Sequence, residues 1–458
     1  MHINKEAFGS DFLWGVSTAA YQIEGAHDAH GKGPSIWDIF VKKRNKIFNN
    51  QHADMACDFY NRYIEDLELL HRLNIPNYRF SIAWSRIYPD GIGAVNQAGI
   101  DFYNRLIDLA LELEITPWVT LYHWDLPYAL ELRGGWLNRE VTQWFCQYVK
   151  TCVQHFGDRV SHWMVLNEPT VFTAAGYFFG IHAPGKKGLD NFLAAAHHAA
   201  LCQAYAAAVI KSLYPNSSVG TTFSCSHVEP YSPRQKDIVA TQKADVLLNR
   251  FFIEPLLGMG YPTKEIKVLR RIEKFMQQHD ERDLQFNMDF IGLQNYTREV
   301  IRHSYFVPFI NAKIVSAKKR KVPTTAMQWE VYPEAMYHIL KKFQAYPNIP
   351  PLLITENGAA FPDTVVHNQV DDPKRLFYLQ QTIAQVLKAK EEGVQVKGYF
   401  VWTLLDNFEW AEGYAPRFGL VYVDFNTQQR IVKSSGQWYA DFLKNDSSSQ
   451  FTGSVRNI

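Results

Sequence analysis

The sequence predicts an α/β fold, a single (β/α)8 TIM barrel with long βα loops forming a pocket. Three observations predict it. Eight short β-rich runs punctuate the 458 residues. Longer segments with helical apolar spacing lie between them. Strand–helix alternation repeated eight times argues for a closed parallel barrel rather than an open, doubly wound sheet.

The expected strands, in order, are Phe12–Ser17, Asn77–Ser81, Pro117–Tyr122, Trp163–Leu166, Val219–Phe223, Phe290–Leu293, Leu352–Thr355 and Gly398–Thr403. A helix over Asp58–Leu73 repeats Phe59, Tyr63, Leu67 and Leu70 along one face and must stop before Pro76. Ile100–Leu113 repeats the device with Pro117 beyond its end, and Phe377–Ala389 leads into the last strand. A barrel needs only about 250 residues. The surplus is therefore assigned to βα loops, chiefly 24–55, 300–330 and 405–418, which are rich in Gly, Pro, His and aromatic residues. No linker or low-complexity stretch divides the chain, so residues 1–458 read as one domain, with a polar, Ser-rich tail over Asn445–Ile458 expected to fray.

Composition excludes several function classes. Hydrophobic residues make up 47% and charged residues 20%, which supports a large core. The formal net charge of +1 gives no global attraction to nucleic acid or an anionic membrane. Lys318-Lys319-Arg320-Lys321 is the one basic cluster and reads as a solvated loop face. The five cysteines, at 57, 146, 152, 202 and 225, show no CxxC or zinc spacing, so reduced thiols and a cytoplasmic location are expected. Neither a secretory signal nor a transmembrane stretch is expected. Gly180-Ile181-His182-Ala183-Pro184-Gly185-Lys186-Lys187 nearly spells a phosphate-binding loop but lacks the closing Ser or Thr. The neighbours His197 and His198 cannot share a helix face, so no metal pair follows and no metal or cofactor is expected.

Two glutamates carry the chemical argument. Glu168 follows the apolar run 162–166 and Asn167, and Glu356 follows 351–355. Each is then cut off by a turn-forming or helix-blocking residue. A carboxylate at the tip of a buried strand does not fill a core. Taken singly, each could be a strand end paired with an arginine. Together, after the fourth and seventh strands, they can meet across the barrel mouth. Cleaving a glycosidic bond needs one carboxylic acid for the leaving oxygen and one carboxylate for the oxocarbenium-like centre, about 5–5.5 Å apart in the retaining geometry.

An ordered set of motifs extends this. Residues 12–25 read FLWGVSTAAYQIEG, 78–87 YRFSIAWSRI and 121–127 LYHWDLP. Asn167-Glu168-Pro169, Thr355-Glu356-Asn357-Gly358 and the stretch 402–410, WTLLDNFEW, complete the set. Across nearly its whole length the chain resembles the family 1 glycoside hydrolases of β-glucosidase type. The resemblance implies that Glu168 is the general acid/base and Glu356 the nucleophile. Arg79 would then keep Glu356 ionised, and Tyr296 would contact it. Gln22, His123, Asn167 and Glu409 would hold sugar hydroxyls, Asn167 the 2-hydroxyl. Trp402 and Trp410 would wall the sugar, Trp124 would flank it, and Trp329 would carry the leaving group. One stretch departs from the family pattern. Where it has Asn-Tyr-Tyr or Asn-His-Tyr, this chain has Gln294-Asn295-Tyr296, and period-two alternation opposes a one-residue slip, so Gln294 becomes a neighbour of the nucleophile.

The implied activity is that of a retaining β-glucosidase releasing terminal non-reducing glucose from β-glucosides and short β-linked oligosaccharides by double displacement. β-Galactosidase or β-fucosidase activity, or a non-catalytic sugar-binding barrel, are the alternatives. An acidic Glu409 opposes a 6-phosphate by like-charge repulsion, and a glutamate at 168 implies ordinary O-glycosides. The expected partner is a small-molecule β-glycoside.

Overall fold

The computed structural model describes residues 3–444, so the Asn445–Ile458 tail lies outside the described residues. Eight strands close a barrel: β1 (Leu13–Ser17), β2 (Asn77–Ser81), β3 (Thr116–Tyr122), β4 (His162–Asn167), β5 (Ser218–Ser224), β6 (Phe290–Gln294), β7 (Leu352–Asn357) and β8 (Val396–Trp402). Neighbours run parallel in chain order, and β8 closes onto β1. All eight expected strands form, with ends displaced by at most two residues.

The strands are buried on both faces, which is why they read as near-continuous apolar runs. Trp118, Met164, Phe290, Leu353 and Phe400, from five different strands, pack together with Leu13 and plug the barrel interior. Each such side chain stabilises by roughly 1.5–3 kcal/mol. The next layer is polar and holds Arg79, fully buried. Gly292 lies between Phe290 and Gln294 on β6, where a Cβ would come within 2.7 Å of Thr222 and 2.9 Å of Thr355. Only glycine lets three strands approach there.

Helices cover the outside. Those over Phe59–Arg72, Gln97–Glu112 and Pro373–Glu391 match the sequence periodicity. Leu189–Leu213 is long and apolar enough to cross a membrane by length and composition, yet most of it is buried, packed on the helix Val141–Phe156. Its alanine-rich surface allows close approach on several sides, so it serves as a core helix.

The surplus chain is less irregular than expected. Within 24–55, Ile36–Phe40 forms a short helix opened by a capping box between Ser35 and Asp38. Residues 300–330 were expected to be loop, but Arg298–His303 pairs with His227–Pro230 and Ala312–Ile314 in a three-stranded accessory sheet. The basic run is only partly solvated. Arg320 turns inward to pair with Glu330 at 2.7 Å, while Lys318, Lys319 and Lys321 remain exposed.

The segment after β8 is fixed by a buried ion network. Lys433 Nζ lies 2.6 Å from both Asp406 and Asp363, Arg417 donates to Asp406 at 2.8 Å, and Arg375 binds Asp363 and Asp372. It ties the stretch behind β7 to the loop that carries Glu409.

Candidate active site

The strand tips at the C-terminal end of the barrel converge on a cavity of about 300 Å³. Nine residues singled out from the sequence line it: His123, Trp124, Glu168, Tyr296, Trp329, Glu356, Trp402, Glu409 and Trp410. Gln22, Arg79 and Asn167 stand behind this wall and bond to it.

Both glutamates follow a break in strand register. The β4–β5 pairing shifts between Met164 and Asn167, and the β6–β7 pairing between Ile354 and Glu356. Met164 and Leu353 point into the core plug, so strict alternation would face Leu166 and Thr355 inward next. The shifts instead bring Asn167 and Glu356 to the polar layer. Such irregularities re-aim side chains beside active sites. Glu168 then adopts a left-handed backbone, φ 47°, while its N–H donates to Thr222 O at 3.0 Å. That conformation is uncommon for a residue with a Cβ and costs on the order of 1 kcal/mol. Pro169, expected to block a helix, instead opens one, Pro169–Thr173, at the first position, where its missing N–H is not needed.

Glu356 is held by three donors. Arg79 Nη1 approaches Oε1 at 2.5 Å, Gln294 Nε2 the same oxygen at 3.0 Å, and Tyr296 Oη donates to Oε2 at 2.7 Å. Gln294 thus stands beside Glu356 with no register slip. Asn295 points away and donates to the carbonyls of Cys225 and Thr297.

Asn167 Oδ1 also accepts three bonds, from Arg79 at 2.5 Å, Gln294 at 2.7 Å and Thr222 at 3.0 Å. This fixes the amide, so Nδ2 donates to His123 Nε2 at 2.9 Å. Burial, and then Arg79, hold the His123 imidazole well below its usual pKa. The ring is neutral and carries its proton on Nδ1, which has no partner among the described residues. That N–H is free for a ligand oxygen.

The two carboxyls differ in proton affinity. Burial first, then the charge of Glu356, push Glu168 well above the carboxylate range, opposed by the Ser224 hydroxyl and by Arg79. Burial also raises Glu356, but Arg79 and Tyr296 pull it back. Removing water disfavours both charges, yet only Glu356 has a cation in contact, so it ionises first. The pair presents one neutral acid and one carboxylate.

Glu409 accepts from Gln22 Nε2 at 3.3 Å, and Gln22 also donates to Asn407 Oδ1 and Phe408 O. Burial, and next the charge of Glu356, push Glu409 up to about 8. This revises the argument against a phosphorylated sugar. A mostly neutral Glu409 repels weakly, but among the described residues the cavity lining has no Lys or Arg to receive a phosphate.

The aromatic walls form two groups. Trp410 packs on Trp124 (4.5 Å), Trp37 (4.7 Å) and Tyr21 (5.9 Å). Trp329 packs on Tyr296 (5.4 Å) and Phe418 (6.1 Å). The sequence reading missed Ser224, Ser226, Glu299 and Phe418, which also line the cavity. Ser224 was within reach, one residue past an expected strand; Glu299 depended on the unforeseen accessory sheet. The phosphate-loop look-alike delivers His182 to the cavity wall, and its Lys186 pairs with Glu131 at 2.5 Å. His197 and His198 are buried elsewhere, bonded to Asp280 and to Trp136 O.

Residues 4–448 match the model of Glycosyl hydrolase family 1. The chain is 46% identical over 446 residues to β-glucosidase A of Thermotoga maritima, covering 97% of this chain and 99% of that one. It is 44% identical over 441 residues to a 1,4-β-D-glucan glucohydrolase of Thermotoga neapolitana, covering 96% and 98%. The solved structure of β-glucosidase from T. maritima in complex with glucoimidazole superposes with a TM-score of 0.90 at 45% identity, covering 95% of this chain and 98% of that chain.

Proposed function

The chain belongs to glycosyl hydrolase family 1, and on that premise we propose that it is a retaining β-glucosidase in which Glu168 is the general acid/base and Glu356 the nucleophile. The observation that carries this division is the unequal surroundings of the two carboxyls. Glu356 accepts from Arg79, Gln294 and Tyr296, whereas burial and the charge of Glu356 hold the Glu168 proton.

In the first step a Glu356 oxygen attacks the anomeric carbon as Glu168 delivers its proton to the leaving oxygen. The bond to the leaving group breaks and a glycosyl ester forms. The negative charge on Glu356 is then gone, so the Glu168 pKa falls and its carboxylate can take a proton from water. Water attacks the same carbon, and glucose leaves with its β configuration kept. Gln22, His123, Asn167 and Glu409 hold the sugar hydroxyls, with Trp402 and Trp410 against the ring. Trp124 flanks the site and Trp329 supports the leaving group. The names of the relatives favour glucose over galactose or fucose, and β-linked glucans as a source of substrate, which suits a role in cellulose breakdown. Five free cysteines, four of them buried, support a cytoplasmic location.

The test is mass spectrometry after reaction with a 2-deoxy-2-fluoro-β-glucoside bearing a good leaving group. The added mass is expected on the peptide containing Glu356. Label on another residue, with the enzyme inactivated, would overturn the assignment. Comparing kcat/KM across p-nitrophenyl β-glycosides tests the sugar.

A further inference from the structure

The two ends of the cavity differ. His123, Trp402, Glu409 and Trp410 come from the β3 and β8 tips. Glu168 closes β4, and an acid must stand beside the oxygen it protonates, so the leaving group lies on its side. There the wall follows β5 and β6 and includes Ser224, Ser226, Thr297, Glu299 and Trp329.

Glu299 is the anomaly in that wall. It lies in the accessory strand Arg298–His303, in register with Val228. The preceding Arg298 turns to the other face and binds Glu330 and Glu229 at 2.9 Å. Alternation therefore aims Glu299 at the cavity. Its carboxyl makes no hydrogen bond or ion pair among the described residues, although it is partly buried. Arg320, which acts on it through space, is bound to Glu330 at 2.7 Å. A desolvated polar group without a partner is costly, and a ligand that satisfies it gains accordingly. Trp329, in the same wall, offers the apolar face on which a sugar ring can lie.

We propose that Glu299 is a specificity-determining residue for the leaving group, selecting hydroxyl-bearing, glycosyl leaving groups over apolar aryl or alkyl ones. This rests on the β-glucosidase reading and names the substrate class within it. Two carboxyl oxygens match the paired hydroxyls of a sugar, and a charge-assisted bond to a half-buried acceptor is stronger than a neutral one. Burial places this carboxyl at about 7, so near neutrality it can accept from one hydroxyl or donate to another. An aryl group offers no such donors and leaves Glu299 unsatisfied.

The test compares cellobiose with p-nitrophenyl β-glucoside for the wild type, Glu299→Leu and Glu299→Gln. For Glu299→Leu, kcat/KM on cellobiose is expected to fall about tenfold to a hundredfold, mainly through KM. Activity on the aryl glucoside should stay within about twofold, since truncating a contact the aryl group does not make leaves its transition state untouched. Glu299→Gln, which keeps a hydrogen-bonding amide, should recover part of the cellobiose loss. An equal loss on both substrates would reveal a structural role and overturn the proposal, as would an unchanged cellobiose KM. A wild type that turns over neither substrate would instead overturn the β-glucosidase reading.

Discussion

The Gln294 side-chain amide donates to Glu356 Oε1 at 3.0 Å and, from the same nitrogen, to Asn167 Oδ1 at 2.7 Å. The residue that departs from the family pattern thus bridges the two strands that carry Asn167 and Glu356. A glutamine reaches one methylene further than asparagine, and the absent side chain of Gly292 leaves room beneath it.

Replacing Gln294 with leucine should lower kcat/KM about tenfold to a hundredfold, because two acceptors in a buried layer each lose a donor. Gln294→Asn should lose less. The rate of inactivation by a 2-fluoro glucoside, which isolates the first step, is the measurement. No change with leucine would remove Gln294 from that step.

Glu168→Ala should lose about 10²–10⁴-fold on alkyl glucosides. With dinitrophenyl glucosides, whose leaving groups need no proton, glycosylation should lose little and deglycosylation should become limiting. Pre-steady-state bursts would show this. Equal loss on both substrates would count against the acid role.

The alkaline limb of kcat/KM should reflect loss of the Glu168 proton, since burial and Glu356 raise its pKa. The sign follows from its role: the acid works only while protonated, so the rate falls as pH rises. In Glu168→Ala, assayed on activated substrates, that limb should flatten or move; an unchanged limb would assign it to another group, such as Glu409.

Asp125, two residues past His123, is buried with Oδ1 unpartnered, and burial with the charge of Glu24 pushes its pKa from 3.8 to about 8. The native state binds this proton more tightly than the unfolded chain. The resulting stability is therefore full below pH 3.8 and is lost as pH rises through 8. The ceiling is on the order of 5 kcal/mol. Asp125→Asn should show a smaller fall in Tm between pH 5 and pH 8 than the wild type. A parallel pair of Tm curves would refute the assignment.

Lys433→Met would leave Asp363 and Asp406 buried without their shared cation. Breaking such a network costs about 3–5 kcal/mol. Urea unfolding followed by tryptophan fluorescence should show the free energy of unfolding falling by that amount, and a fall under about 1 kcal/mol would contradict it.

The barrel was legible because a strand buried on both faces must be apolar, and parallel strands need helical crossovers. Pro76 and Pro117 marked their helix ends for the same local reason. Most of the site was legible too, since strand tips supply it; the family motif read without a gap placed Gln294, and alternation argued against a slip to Asn295. What escaped was non-local. The register shifts before Asn167 and Glu356 depend on neighbouring strands. The accessory sheet, and with it Glu299, depends on pairing between segments some seventy residues apart. Arg320 was read with its lysine neighbours because sequence adjacency does not reveal Glu330 as its partner.

Gln22 meets Asn407, Phe408 and Glu409 only because β8 closes onto β1. This edge of the pocket is therefore stitched from opposite ends of the chain, while His123, Asn167 and both proposed catalytic glutamates lie between them. During ribosomal synthesis, Glu168 and Glu356 are made before the closing strand and Glu409, so the pocket edge is the last part to exist. Contacts of such long sequence separation form late. Hydrolytic activity is thus expected to require completed ring closure, since a polypeptide terminated before Val396 lacks β8 and Glu409 altogether.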